Sequence, residues 1–283
     1  MLSGRRIIGV LLFLGIFSLT FEVKGQALLP FIPPLSGEQL DNYSVRLMQD
    51  AIQLLRIQEV DLALSRAKLA VQLSPRRYET WYILGTAQSQ KGNHKEALGA
   101  FLEAKKIAPD NAEVLFALGN SYFQTGEYQA AVKELEAGLK INSQSPQAYF
   151  DLGNAYFKLN QYDKAVDAYQ RVLKLEASFW PAINNIGLVE YEQGKIKQAM
   201  ESWRKAIAID EQQAEPLLAL AVALYTQGQT QEAIQLGKKA LQLDPNYGNI
   251  HHLILNLWGE KLIADTRKFF QNRAIAVFLP KAD

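Results

Sequence analysis

The chain has 283 residues and a formal net charge of only +1, because 30 lysines and arginines are balanced by 29 acids. Binding along a nucleic-acid backbone requires concentrated positive charge, so this balance argues against a nucleic-acid partner. The sequence contains no cysteine, which excludes disulfides, thiolate nucleophiles, zinc ribbons and lipid anchors attached through cysteine.

The first 27 residues differ in composition from the rest of the chain. Arg5 and Arg6 precede an uncharged apolar run over residues 7–21, and Glu22 closes it. This run is as long as the apolar core of a secretory signal, about 7–15 residues, and shorter than the roughly 17–25 residues that a spanning helix needs. We therefore predict a membrane-targeting segment over residues 1–27, either a cleaved signal peptide or a retained N-terminal transmembrane anchor.

The charges that flank this run predict its orientation. Two arginines and the terminal amine precede it, whereas Lys24 alone follows it, and the more positive side stays in the cytoplasm. We expect a membrane-anchored protein whose main domain lies on the extracytoplasmic side, periplasmic or lumenal. The alternatives are a cleaved and secreted protein and a cytoplasm-facing anchored one.

Residues 28–43 contain Pro30, Pro33 and Pro34 and predict an extended spacer. From residue 44 to residue 247 the sequence then repeats every 34 residues without an insertion. Six alanines mark the register: Ala63, Ala97, Ala131, Ala165, Ala199 and Ala233. Four glycines precede four of them at a constant distance: Gly85, Gly119, Gly153 and Gly187. Thirty-four residues hold two helices of three to four turns, and small residues let paired helices approach closely, so the pattern predicts an all-α array of about six helix-turn-helix units.

A further series predicts where the first helix of each unit ends. Glycine favours the left-handed conformation that closes a helix, and it recurs at the required place: Gly92, Gly126, Gly194 and Gly228. Asn160 takes this place in the fourth unit. The first helices are therefore expected to stop at these residues.

The pattern resembles the tetratricopeptide repeat, W-x2-L-G-x2-Y…A-x3-F…P. The second unit matches it best: Trp81, Leu84, Gly85, Ala97, Phe101, Ala104 and Pro109. Over residues 44–247 the resemblance implies a right-handed α-solenoid, which by itself says little about function. Residues 248–283 depart from the repeat and predict a capping helix, broken near Gly259, and an apolar tail at 274–279.

Catalytic and cofactor motifs are missing from the sequence. The three histidines include the neighbours His251 and His252, which point about 100° apart on a helix and cannot form an i, i+4 metal pair. Asp151 and Asp163 are interpreted as solvated surface acids. We therefore expect that the protein is not an enzyme and that it binds no cofactor and no metal.

The resemblance also implies where a ligand binds. In tetratricopeptide repeats the first helix of each unit lines a concave groove, and unit positions 5, 9 and 12 form one inward stripe on that helix. Ten side chains from these positions are our candidate peptide-binding residues: Tyr82, Phe116, Asn120, Phe123, Phe150, Asn154, Phe157, Asn184, Tyr191 and Tyr225.

Asparagine carboxamides can hold the backbone of an extended peptide while aromatic rings bury its side chains. Alternatively, these residues only bond and pack against neighbouring helices. The inward positions of the first units, Met48, Ile52, Tyr82 and Thr86, carry no basic side chain, so a clamp for a C-terminal carboxylate is not supported.

The leading hypothesis is a membrane-targeted, non-enzymatic scaffold that binds extended segments of other proteins. The phrases at residues 179–188 and 256–259 are similar to repeat proteins of photosynthetic membranes, which implies assembly or maintenance of membrane complexes. The alternative is a structural subunit of an oligomer whose groove holds its own terminal segment, with the tail at 274–279 as the plug. An RNA-binding helical array is disfavoured by the charge balance.

Overall fold

A computed structural model describes residues 36–280, which fold into helices and their connections without a strand in that range. Twelve of the helices form six pairs: α1 (Gly37–Arg56) and α2 (Val60–Leu73), α3 (Tyr78–Gln90) and α4 (His94–Ile107), α5 (Ala112–Gln124) and α6 (Tyr128–Ile141), α7 (Pro146–Lys158) and α8 (Tyr162–Leu175), α9 (Trp180–Glu192) and α10 (Ile196–Ile209), α11 (Ala214–Thr226) and α12 (Thr230–Leu243). The second helix of each pair packs on the first helix of the next. The predicted all-α solenoid is therefore confirmed.

The N-terminal predictions fall mostly outside the described residues. The apolar run at 7–21 and the prolines of the spacer lie in residues 1–35. The first helix begins at Gly37, so residues 37–43, which the sequence assigned to the spacer, belong to α1. Within residues 36–280 no helix combines the length and the apolar character that crossing a membrane requires.

The ends of the first helices confirm the predicted caps. Gly92, Gly126, Gly194 and Gly228 all have a φ between 78° and 84°. Asn160 takes the same left-handed conformation with a φ of 57°, and so does Gln58 at the end of α1 with a φ of 62°. The six pairs therefore share one turn geometry, which keeps the repeat in register.

The glycines inside the first helices make room for a side chain of the second helix. A Cβ atom at Gly153 would lie 2.5 Å from Cε1 of Tyr169, and one at Gly187 would lie 2.5 Å from Nε1 of Trp203. Tyr169 and Trp203 are fully buried in this space. The sequence attributed these glycines to close approach of the helices, whereas the structure shows that they admit a large ring.

Beyond α12 the chain forms a 3-10 helix (Pro245–Gly248) and three helices: α13 (Ile250–Leu255), α14 (Glu260–Phe270) and α15 (Arg273–Ala276). The 3-10 helix and α15 cover α12, as a cap does, whereas α14 packs against α9 and α11. In the apolar tail Ile275 is fully buried and Val277 is exposed. The last segment of the chain therefore caps the array, and it also returns to α9 and α11, the first helices of the last two pairs.

The return of the chain depends on an early stop in α13. Leu257 ends this helix with a φ of 67°, the left-handed conformation that the other first helices reach only after about twice as many residues. Trp258 follows as a buried side chain, and Gly259 is the N-cap residue of α14. The break predicted near Gly259 is confirmed.

Candidate peptide-binding groove

The first helices of successive pairs form the inner face on which the ten candidate residues lie. Contacts join α5 to α7 and α9 to α11, so equivalent side chains stand in neighbouring rows. Candidate residues lie on α3, α5, α7, α9 and α11. The structure divides them into two groups, which we call the filled half (α9 and α11) and the open half (α3, α5 and α7).

The filled half is occupied by α14. The hydroxyl of Tyr191 donates a hydrogen bond to Oδ2 of Asp265 at 2.8 Å, and the ring of Tyr225 lies 5.2 Å from that of Phe269. Tyr191 is only 1% exposed, and the inward positions Leu218 and Val222 are fully buried. Two predicted ligand-binding residues, Tyr191 and Tyr225, therefore bind a helix of their own chain.

Glu192 holds the N-terminus of this helix. Its carboxylate accepts hydrogen bonds from the backbone N–H groups of Lys261, at 3.1 Å, and Leu262, at 3.0 Å. The ammonium group of Lys261 donates to the main-chain carbonyl of Glu192. A Cβ atom at Gly259 would lie 2.2 Å from Cδ of Glu192, so glycine there gives the carboxylate access. A negative charge at a helix N-terminus satisfies orphan donors and complements the helix dipole.

A second acid, Glu215 on α11, anchors the segment that precedes α14. The indole Nε1 of Trp258 donates to Oε1 of Glu215 at 3.1 Å. Burial raises the pKa of Glu215 to about 7, although hydrogen bonds from Trp258, Asn184 and Tyr247 favour its charged form. This carboxyl group therefore titrates near neutral pH while it supports the docked segment.

The predicted asparagines form a polar row between α7 and α9. Oδ1 of Asn154 accepts hydrogen bonds from the Tyr169 hydroxyl at 2.7 Å and from Nδ2 of Asn185 at 3.0 Å. Nδ2 of Asn184 donates to Oδ1 of Asn185 at 3.1 Å, and Asn184 is fully buried. Asn154 therefore links α7 to α8 and α9, and Asn184 links α9 to Glu215 on α11. Both follow the alternative interpretation, in which the asparagines bond to neighbouring helices.

The aromatic residues of the open half pack against other aromatic side chains of the repeat helices. Tyr82 meets Phe101 edge-on at 5.6 Å, Phe123 lies 5.3 Å from Tyr128, and Phe150 lies 5.8 Å from Tyr169. Tyr82, Phe116, Phe123 and Phe150 remain half-buried. Phe157, at 6% exposure, is the most enclosed of the predicted phenylalanines.

Asp151 is a groove residue that the sequence analysis placed wrongly among solvated acids. It lies between Phe150 and Asn154 on α7 and is half-buried. Nε2 of Gln147 donates to its Oδ1 at 2.8 Å, and the carboxamide of Asn120 stabilises its charged form. Burial nevertheless raises the pKa of Asp151 to about 6. The sequence did contain a signal for this position. Asp151 precedes the inward Asn154 by three residues, so the two lie on the same face of the helix.

A cleft of about 710 Å³ lies where the two halves meet. Phe157, Lys158 and Tyr162 form one wall, and Leu257 and Trp258 belong to the other. Lys158 is half-buried, and burial lowers its pKa. The cleft is continuous with the end of the filled half, because Glu192 and Lys261 also line it.

No metal site is present among residues 36–280, where no three histidine, aspartate or glutamate side chains are grouped to hold an ion. His252 packs edge-on against Tyr247 with ring centroids 4.9 Å apart. The inner face described above carries aromatic and amide side chains. Stacked helix pairs with such an inner face place the chain in the class of helical-repeat proteins.

Within that class, the chain belongs to the tetratricopeptide repeat family. The family profile described as TPR repeat matches residues 85–126, 119–160 and 187–228. Two profiles described as tetratricopeptide repeat match residues 146–179 and 214–247. Together these matches cover more than half of the chain, in the register predicted from the alanines and glycines.

Solved structures share the fold. The crystal structure of MamA is 25% identical, with a TM-score of 0.54 over 60% of this chain and 93% of that one. YrrB, described as a TPR protein with an unusual peptide-binding site, is 21% identical, with a TM-score of 0.52 over 59% of this chain and 87% of that one. Pseudomonas aeruginosa pilF is 15% identical, with a TM-score of 0.63 over 81% of this chain and 99% of that one. Comparison with curated proteins gives no match.

Proposed function

We propose that the chain is a non-enzymatic protein-interaction scaffold that binds a segment of another protein in the open half of its groove. The observation that carries this proposal is the contrast between the two halves. Tyr191, Leu218 and Val222 are buried on α9 and α11, the helices against which α14 packs, whereas the equivalent stripe on α5 and α7 keeps Phe116, Phe123 and Phe150 partly exposed. A row of aromatic side chains on a concave surface is typical of protein-binding sites.

The geometry also supports an extended segment as the ligand. Nδ2 of Asn154 has no hydrogen-bond partner among residues 36–280 and remains available as a donor to a peptide carbonyl. The half-buried rings on either side provide apolar contacts for alternate side chains. Membership of a repeat family with a peptide-binding member such as YrrB is consistent with this use of the groove.

The proposal includes a cellular setting. Residues 1–27 attach the protein to a membrane, and the repeat domain faces the extracytoplasmic side, where it assists assembly or maintenance of membrane protein complexes. The charges around residues 7–21 support this orientation. Protease added to sealed vesicles of known orientation tests it, because digestion of residues 44–247 only from the cytoplasmic side would contradict it.

A structural subunit with a self-filled groove remains the second candidate, because α14 does occupy half of the groove. In an oligomer of this kind, one subunit would exchange this segment with another. Removal of residues 260–283 separates the two functions. A scaffold still captures its partners after this truncation, whereas a subunit that depends on segment exchange changes its oligomeric state.

The proposed function is tested by capture of partners from native membranes followed by mass spectrometry. Phe123→Ala combined with Phe157→Ala is expected to weaken capture at least about tenfold, as for aromatic residues that dominate an interface. Phe123→Ala alone is the second variant, because Phe123 is only half-buried and its loss should leave the fold intact. Tyr43→Ala is the matched control, since Tyr43 is an aromatic on α1 that is 47% exposed. Undiminished capture by folded variants would contradict the proposal.

A further inference from the structure

The open half of the groove has an acidic character that the whole chain lacks. The three helices α3, α5 and α7 contain only four charged residues: Glu79, Glu113, Asp151 and Lys158. Glu79 has a weak contact with Arg77 at 3.6 Å. Lys158 lies at the far end of α7, in the cleft. These three helices therefore carry three acids and one base, although the net charge of the protein is close to zero.

Asp151 is an acid without a cation. Its neighbours are the neutral carboxamides of Gln147 and Asn120, and it joins no ion pair within residues 36–280. Another enclosed acid of the array, Glu134, is treated differently: both of its carboxylate oxygens accept from the ammonium group of Lys105, at 2.7 and 2.8 Å. A carboxylate that loses water and gains only neutral donors carries a desolvation cost that these hydrogen bonds offset only in part.

The filled half shows how this groove satisfies its acids. Glu192 accepts hydrogen bonds from the backbone of α14, and Glu215 accepts one from Trp258. In both cases the segment that occupies the groove supplies a donor, and Glu215 also accepts from Asn184 on α9 and from Tyr247. Asp151, in contrast, accepts only from carboxamides of the repeat helices, and no occupying segment among residues 36–280 supplies it with a donor.

We propose, on the basis of the function proposed above, that the open half selects a peptide segment that carries a lysine or arginine directed at Asp151. An apolar side chain of the same segment contacts Phe123 and Phe150. The cation replaces the water that Asp151 loses, in a charge-assisted hydrogen bond. Burial raises the pKa of the Tyr82 hydroxyl, and the charge of the nearby Glu113 raises it further. Glu113 therefore adds to the attraction.

Peptides selected by the protein itself provide the test. A phage-displayed library of random peptides is panned against the full-length chain and against its Asp151→Asn variant, with Asp163→Asn as the matched control on the exposed surface of α8. We expect peptides selected by the wild-type chain to carry lysine or arginine at a fixed distance from an apolar residue. Asp151→Asn should lose the basic preference, and a selected peptide should bind it about tenfold more weakly or worse.

The outcomes separate this inference from the function on which it rests. Selected peptides that need Phe123 but show no basic preference, or that bind Asp151→Asn as tightly as the wild-type chain, overturn the inference and leave the scaffold function standing. Failure to select any peptide whose binding depends on Phe123 overturns both. Circular dichroism confirms that each variant is folded before its binding is measured.

Discussion

The filled and open halves of the groove are built from the same repeat, and a few divergent positions make them different. The residue that follows the last inward aromatic is Gln124 on α5, Lys158 on α7 and Glu192 on α9. The carboxylate of Glu192 complements the partial positive charge at a helix N-terminus, whereas Gln124 carries no charge and the charge of Lys158 would oppose it. This position in the repeat therefore favours docking of α14 on α9 rather than on α5 or α7.

The comparison also shows which chemical groups each half offers. The filled half offers acceptors, Glu192 and Glu215, to the donors of a returning helix. The open half offers half-buried rings, the free donor of Asn154 and the unpaired carboxylate of Asp151. Divergence within a regular array thus gives the two halves of one groove different chemistry.

The strongest way to break the comparison is to remove the ring that seats α14. Phe269 is fully buried against Tyr225 and Gly237, so Phe269→Ala is expected to destabilise the docked helix by about 3–5 kcal/mol. Hydrogen exchange should then accelerate in α9, α11 and α14. Leu255→Ala, at a side chain that is 68% exposed, is the control. Unchanged protection of α14 would show that the ring does not hold the helix in place.

A more selective change removes the acid that fixes the position of α14. Glu192→Ala leaves the N–H groups of Lys261 and Leu262 without their acceptor, and we expect a loss of about 2–3 kcal/mol in the free energy of unfolding. Glu260→Ala, at an exposed acid in the first turn of the same helix, should have a much smaller effect. Urea denaturation followed by tryptophan fluorescence measures both. Equal effects of the two variants would argue against the capping role of Glu192.

The shared architecture of the two halves can be tested at a small residue. Ala165 is fully buried on α8, and Ala165→Leu should overpack the fourth pair at a cost of about 1–3 kcal/mol. Because neighbouring repeats share interfaces, the whole array should melt at a lower temperature. Gln170→Leu adds the same side chain at an exposed position as the control. A melting midpoint that does not move would mean that Ala165 marks no close helix contact.

The smallest expected effect is a pH dependence that distinguishes the halves. The pKa of Glu215 rises from 4.5 to about 7 in the folded chain, so between these values the folded state retains a proton that the unfolded state has lost. The free energy of unfolding therefore falls as the pH rises through this window. We expect a slope of at most about 1.4 kcal/mol per pH unit, because a single group loses its proton in this window.

Two variants show which group causes the pH dependence of the free energy of unfolding. Glu215→Gln should flatten the loss of stability between about pH 5 and about pH 7. Asp151→Asn should act at lower pH, because the pKa of Asp151 rises only from 3.8 to about 6. Denaturation curves measured across this range for both variants give the comparison. A slope that Glu215→Gln leaves unchanged would assign the titration to another group.

The sequence predicted which positions face the groove. It did not predict most of the contacts that the side chains at these positions make. The inward stripe follows from the helical period, so the ten candidate residues lie on the expected helices. Their partners do not follow from it. Asp151 was misjudged because its burial depends on Gln147 in its own helix and on Asn120 in the neighbouring one, and neither contact leaves a mark in the local pattern.

The sequence by itself determined the array: the 34-residue period, the paired helices, and the left-handed ends at Gly92, Asn160 and their equivalents. These features are local, since each depends on a helical period or on the backbone preference of one residue. Only the tertiary structure decided which part of the groove is covered. The contact between Glu192 and Lys261 joins residues 69 positions apart, and no periodicity encodes it. It exists because α13 stops early, Gly259 leaves room for a carboxylate, and an acid stands at that one place in the repeat.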